Sequence, residues 1–223
     1  MIGELSENQL HNSLKKYYFQ KGDIIEHKLE GYYIDIFRED TLIEIQTSSF
    51  SKVKKKYDNL LKNYKIIMVY PISSSKWISK IGRDKIITKR KSPKSENIYN
   101  IFDELVSIPN YINHRNFSIE VINIHQEEIR KTIVPKRRYR KNWKTVDRKL
   151  IKVINSHLFN NKFDFLKLLP QNLPKEFTTK DVLETSKIGK SSIQKMIYCL
   201  NKMNAITEIG KLGRYKLYKI NNK

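Results

Sequence analysis

Three scarcities set the first limits on this 223-residue chain. It has a single cysteine, Cys199, so neither an internal disulfide framework nor a cysteine zinc site can be built. That usage fits a reducing, cytoplasmic setting, and Cys199, set in an apolar helical run, reads as a small core residue. No apolar run approaches the ~20 residues of a membrane span. The N-terminus, with Glu4 and Glu7, lacks the basic-then-apolar pattern of a secretory leader. Acids are scarce as well: 23 Asp and Glu stand against 44 Lys and Arg, a net charge of +21. So large an excess calls for a polyanionic partner, and nucleic acid is the usual one. The basic residues spread over both halves instead of gathering on one amphipathic helix, which argues against a membrane surface.

Against that background, two of the few acids occupy places a strand disfavours. Tyr32 to Phe37 and Thr41 to Gln46 are rich in Ile and aromatics and alternate around Arg38-Glu39-Asp40, the pattern of a β-hairpin. With Glu39 and Asp40 as a two-residue turn, partner numbers sum to 79 and Asp35 lies opposite Glu44. Like charges facing across strands are unfavourable by a few tenths to about 1 kcal/mol, more when buried. A divalent cation with oxygen ligands would neutralise them, and Mg²⁺ takes one or two carboxylates while keeping waters. The residues alone leave two readings, such a site or a solvated strand face.

The order helix, strand, Asp-bearing strand, Glu-x-Gln strand, helix, strand, over roughly residues 6 to 72, resembles the PD-(D/E)XK nuclease core. The fold class this implies is α/β, a mixed-sheet restriction-endonuclease-like core. In that family the Asp and Glu hold Mg²⁺, which casts Asp35 and Glu44 as metal ligands, the Ile45 carbonyl as a further one, and Mn²⁺ as a substitute ion. The third motif position is usually Lys, whereas here it is Gln46, similar to certain type II restriction enzymes. Gln can orient a water but cannot supply charge. The family's first helix often adds an acid, and Glu7 stands in the matching place, where the helix macrodipole alone would also favour one.

The flanking chain supplies the elements. Ser6 and Gln9 read as a capping box opening a helix through Phe19, and Asp23 to Leu29 as a strand. A helix over 51–64 buries Val53, Tyr57, Leu60 and Leu61, with Lys52, Lys54, Lys55, Lys56 and Lys62 on its outer surface, Lys55 being a candidate phosphate contact. Ile66 to Ile72 reads as a buried strand parallel to the Glu44 strand. Further strand pieces fall at 76–78, 85–88 and 117–125, and a helix at 97–106. The basic stretch Lys89 to Lys94, with Arg90, Lys91 and Lys94, reads either as a phosphate clamp or as a solvated turn.

Three units are expected: a nuclease-like domain over 1–128, a basic linker over 129–144 with Arg137, Arg138, Arg140 and the stacking aromatics Tyr139 and Trp143, and a small C-terminal winged-helix domain over 145–223. The last would comprise a helix over 146–159, a capped helix from Thr178, a recognition helix over 190–203 and two strands. Lys190, Ser191, Gln194 and Lys195 would face nucleic acid, with Lys211 and Arg214 at the wing. The expected activity is metal-dependent DNA endonuclease. The alternatives are a non-catalytic DNA-binding regulator and an RNA-directed nuclease. The resemblance leaves room for a homodimer.

Overall fold

The structure, a computed structural model, describes residues 9–82, 85–133 and 142–221. Glu7, Arg137, Arg138, Tyr139 and Arg140 lie outside the described residues. Among the described residues seven strands form one mixed sheet. These are β1 (Ile24–Leu29), β2 (Tyr32–Arg38), β3 (Thr41–Ile45), β4 (Lys65–Gly82), β5 (Lys85–Lys91), β6 (Phe117–Thr132) and β7 (Trp143–Phe159). Their order is β1-β2-β3-β4-β6-β7, with β5 paired to β4.

The hairpin register is the expected one: Ile36 pairs with Ile43, Phe37 with Leu42 and Arg38 with Thr41. β4 lies parallel to β3, with Glu44 beside Met68 and Ile45 beside Val69. The crossover is a short 3₁₀ turn, Phe50–Val53, leading into helix α2 (Lys54–Leu60). Phe50, Val53, Tyr57 and Leu60 are buried against one face of the sheet. Helix α1 (Gln9–Tyr18) covers the other face, with Leu10 and Leu14 packed among Ile36, Ile43, Ile45, Val69 and Ile122. Arg38 fixes the angle of α1, donating to Asp23 (2.8 and 2.9 Å) and to the Tyr18 carbonyl (2.7 Å). His11 is thereby brought over β2.

The chief correction concerns 146–159, expected as a helix and found as the 17-residue strand β7 on the edge of the sheet. Leu150 and Val153, three apart, suggested a helical face. Pairing with β6 explains the spacing: Gln126 meets Leu150 and His125 meets Lys152, Ile124 meets Val153 and Asn123 meets Asn155, Ile129 meets Asp147 and Arg130 meets Thr145. Each step inserts an extra residue into β7: Ile151, Ile154 and Val146. These bulges carry Leu150 and Val153 to the same side, against the α1 core, and leave the three extra side chains exposed. Bulges also blunt a long free edge against pairing with another chain.

Both described ends of the expected linker lie in the sheet: β6 continues through Thr132, and β7 begins at Trp143, whose ring is capped by the Arg130 guanidinium at 3.5 Å. The strand pieces at 66–72 and 76–78 are one bent strand, β4, and Lys89, Arg90 and Lys91 belong to β5 instead of a loop. The helix at 97–106 is a 3₁₀ turn, Ile98–Asn100, followed by α3 (Ile101–Leu105).

In their distal halves β4 to β7 bury polar groups. Ser79 bonds Glu127, and Glu128 accepts from Arg130 (2.8 Å) and Thr145 (2.7 Å). Burial works against the Glu128 charge, but these bonds and the charges of Arg130 and Lys76 hold its carboxyl down at about 2. A depressed folded value means stability present above the ordinary 4.5 and lost as pH falls toward about 2. Glu128→Gln is expected to lower stability at pH 7 by about 1.5–3 kcal/mol. By urea unfolding, the gap between wild type and variant should narrow as pH falls below 4 on the way to about 2.

The C-terminal elements are α4 (Lys162–Leu166), β8 (Glu176–Thr178), α5 (Thr179–Thr185), α6 (Lys190–Lys202), β9 (Ile206–Leu212) and β10 (Tyr215–Ile220), the strands ordered β8-β10-β9. Thr178 caps α5 reciprocally with Asp181. Phe165, Met196, Cys199 and Leu200 share one continuous core with Phe102, Leu105 and Phe117. Cys199 is buried there, which pushes its thiol up to about 12 and leaves it unreactive.

Candidate active site

Asp35 and Glu44 occupy neighbouring strands in the register that sets them opposite one another, where β2 begins to part from β3. The Ile45 N–H donates to Asp35 Oδ2 at 2.8 Å, filling the place of a strand-to-strand bond. The next amide, Gln46 N–H, donates to the Val69 carbonyl on β4 (2.8 Å). A strand residue's N–H and C=O point to the same edge, so the Ile45 carbonyl faces the Asp35 side.

Neither acid stands alone. Lys56, from α2, donates from Nζ to both Glu44 oxygens (2.8 and 2.7 Å) and to the Tyr33 carbonyl. His11 Nε2, from α1, lies 3.3 Å from Asp35 Oδ2. The cross-strand repulsion is therefore offset by side chains from the helices on both sheet faces. For Asp35, burial opposes the charge, but the His11 contact, the Ile45 N–H and Lys56 outweigh it and hold the carboxyl below its ordinary value. For Glu44 burial dominates, Lys56 opposes it and Asp35 adds to it, so its carboxyl is pushed up to about 7. The two acids thus differ in proton affinity although they share one site, as acid–base sites require.

Gln46 has another task. Its Nε2 donates to the Ser48 carbonyl and hydroxyl (each 3.2 Å) and to the Ser49 carbonyl (3.0 Å), fastening the loop that leads into α2. The positive charge placed on the acid pair comes from Lys56. Sequence reasoning placed Lys56 among the outer lysines, yet it stands three residues after Val53 and four before Leu60, on the border of the apolar stripe. His11 carried a similar sign, adjoining Leu10 and one turn from Leu14.

Among the described residues no cluster of three or more His, Cys, Asp or Glu side chains could hold a metal. Two carboxylates and the Ile45 carbonyl would offer oxygen ligands, the kind a hydrated Mg²⁺ or Mn²⁺ takes. Glu26, at the margin, pairs with the buried Lys15 at 2.7 Å.

The remaining candidates are scattered. Lys55, Arg90, Lys91 and Lys94 are exposed, Lys91 lying 5.6 Å from the Trp77 ring centre. On α6, Lys190, Ser191 and Gln194 are exposed, whereas Lys195 is tied to Asp103 on α3 at 2.7 Å. Lys211 and Arg214 flank the exposed β9–β10 turn.

A profile described as "Domain of unknown function (DUF8091)" matches residues 8–160. The chain belongs to this DUF8091 family. The match ends just past β7, so it takes in the whole large sheet and both helices that carry Lys56 and His11. The DUF8091 chain is also similar to an uncharacterized protein of Treponema pallidum (strain Nichols), 30% identical over 223 residues, covering 98% of this chain and 87% of the relative. No solved structure matches it. Among the described residues no helix is long and apolar enough to cross a membrane.

Proposed function

We propose that this DUF8091 protein is a metal-dependent endonuclease that hydrolyses phosphodiester bonds in DNA. The observation that carries the reading is the pair of buried Glu44 and partly buried Asp35, in register on parting strands, with the Lys56 ammonium on Glu44. Asp35, Glu44 and the Ile45 carbonyl would hold Mg²⁺, or Mn²⁺ in its place. Such an ion lowers the pKa of a bound water and offsets charge on the phosphate. Lys56 supplies the positive charge that Gln46 cannot, and a phosphate oxygen arriving at the pair meets it. His11 and the Ile45 N–H fix the rotamer of Asp35, and the Gln46 bonds hold the loop that sets α2, and with it Lys56, against β3.

The order α4-β8-α5-α6-β9-β10, with β8 paired to β10, supports a winged-helix reading of the C-terminal part. The exposed start of α6 and the β9–β10 turn would meet the duplex, adding to the +21 charge of the chain. The large core then corresponds to the restriction-endonuclease-like part. Incubation of purified protein with supercoiled plasmid, branched and single-stranded DNA, and RNA duplex, each with Mg²⁺ or Mn²⁺, tests the reading. Cleavage of DNA by wild type and none by Asp35→Asn is expected, whereas equal cleavage by both would remove the pair from the chemistry.

A pH dependence follows. Glu44 must be ionised to hold the cation, and its carboxyl sits at about 7. Cleavage is expected to fall about tenfold per unit below that value and to level off above it, as read from initial rates between pH 5.5 and 9. Stability should move the other way: a folded value raised above the ordinary 4.5 favours the fold at low pH and loses that share as pH rises through about 7.

The second reading, a non-catalytic DNA binder, is favoured by the Lys56 and His11 contacts, which neutralise the acids without an ion. It predicts salt-sensitive binding and intact plasmid under every metal condition.

A further inference from the structure

A recess of about 200 Å³ is lined by Thr47, Tyr70, Lys76, Glu96, Gln126 and Arg148. Chain neighbours link it to the elements that carry the acid pair. Thr47 follows Gln46, Tyr70 follows the Val69 that pairs with Ile45, and Leu10, which adds an apolar wall, precedes His11. Several water molecules' worth of volume, at ~30 Å³ each, would fit one flat ring system.

Its chemistry is mixed. Lys76 and Arg148 donate. Glu96 accepts, one of its oxygens already holding the Ser73 N–H (2.7 Å) and the other 3.9 Å from Lys76. Gln126, only 6% exposed, has its Oε1 buried with no hydrogen-bond partner among the described residues. A buried oxygen in that state is costly unless a ligand brings a donor.

A phosphate subsite would need donors alone, and here a carboxylate and an unpaired carbonyl oxygen would repel the anion. A nucleobase edge alternates donors with acceptors. Guanine offers O6 and N7 to cations and its ring and exocyclic N–H groups to oxygen acceptors. Its faces would lie against Tyr70, Leu10 and Pro71.

We infer that this recess takes a single unpaired base, guanine by preference, from the strand whose phosphate lies at Asp35 and Glu44. The inference rests on the nucleic-acid reading of that pair. The base turned out of the stack would fix which phosphate is presented to the acids.

The test is fluorescence anisotropy with a labelled eight-nucleotide thymidine strand, with and without one central dG, in EDTA so that nothing is cut. Wild type is expected to bind the dG strand about tenfold tighter. Gln126→Leu should erase that preference, lowering affinity for the dG strand more than for the all-thymidine strand. Arg148→Gln, at a partly exposed position, makes the same test should Gln126→Leu fail to melt cooperatively. Equal affinity for both strands in wild type, or a preference that survives the substitutions, overturns the inference. If the plasmid is cut with no guanine preference, the recess inference alone falls. If neither strand nor plasmid is bound, the nucleic-acid reading falls with it.

Discussion

Glu44→Gln is expected to lower metal-dependent DNA cleavage by about 10²–10³-fold, the loss typical when one charged or hydrogen-bonding partner of a transition state is removed. The substitution keeps the shape of the side chain and removes the charge, so the sheet should stay intact. Glu44 is 7% exposed, and burial pushes its carboxyl up to about 7, so the folded site favours the neutral form more than water does. The fold therefore tolerates an uncharged group there. Binding of uncut plasmid in EDTA should not weaken. A variant that lost binding and cleavage together would place Glu44 in the fold instead of the chemistry. One that cut normally would exclude it from both.

The second large effect is at Lys56. Removing one partner of a buried ion pair usually costs about 3–5 kcal/mol because the other is left charged in a poor solvent. Here the loss should be smaller, about 1–3 kcal/mol, since Glu44 can take up a proton instead of remaining an unpaired anion. That proton changes the activity. With the ammonium gone from its two oxygens, Glu44 should titrate higher than about 7, and the pH–rate profile of Lys56→Met should shift to alkaline pH with a rate about 10²-fold lower at neutrality. Partial recovery near pH 9 would show that Lys56 acts through charge. An unmoved profile with a lower melting temperature would make it a packing residue only.

These expectations rest on parts of the molecule that were unequally legible in the sequence. The Asp35–Glu44 alignment could be read directly, because a two-residue turn and strict alternation leave one register, and the pairs Ile36–Ile43 and Phe37–Leu42 have it. The parallel placement of β4 followed from a helical crossover and a doubly buried run. The C-terminal series was legible too, since Thr178, Asp181 and the Ile193–Ile197–Leu200 spacing are local signals.

Two features defeated local reading. β7 carries three bulges, and each adds a residue that turns a period of two into a spacing of three, so Leu150 and Val153 mimic a helix. Nothing short of the β6 partner reveals it. The distal sheet was legible only in pieces: the strands at 76–78 and 85–88 were read, whereas its interior, held by Ser79, Glu127, Glu128 and Arg130, carries polar residues without a strand pattern. Lys56 was concealed for a different reason: three lysines open one short helix, with Lys52 just before it and Lys62 just after, and only the geometry of β2 and β3 singles out the one that reaches Glu44.

Asp35 and Glu44 are expected to hold a divalent cation jointly. Anomalous diffraction from a crystal soaked in Mn²⁺ tests it without reference to any substrate. One strong peak is expected between the two carboxylates and near the Ile45 carbonyl, with Lys56 Nζ drawn off at least one Glu44 oxygen. A map with no peak there, and Lys56 still bonded to both oxygens at 2.7–2.8 Å, would contradict it.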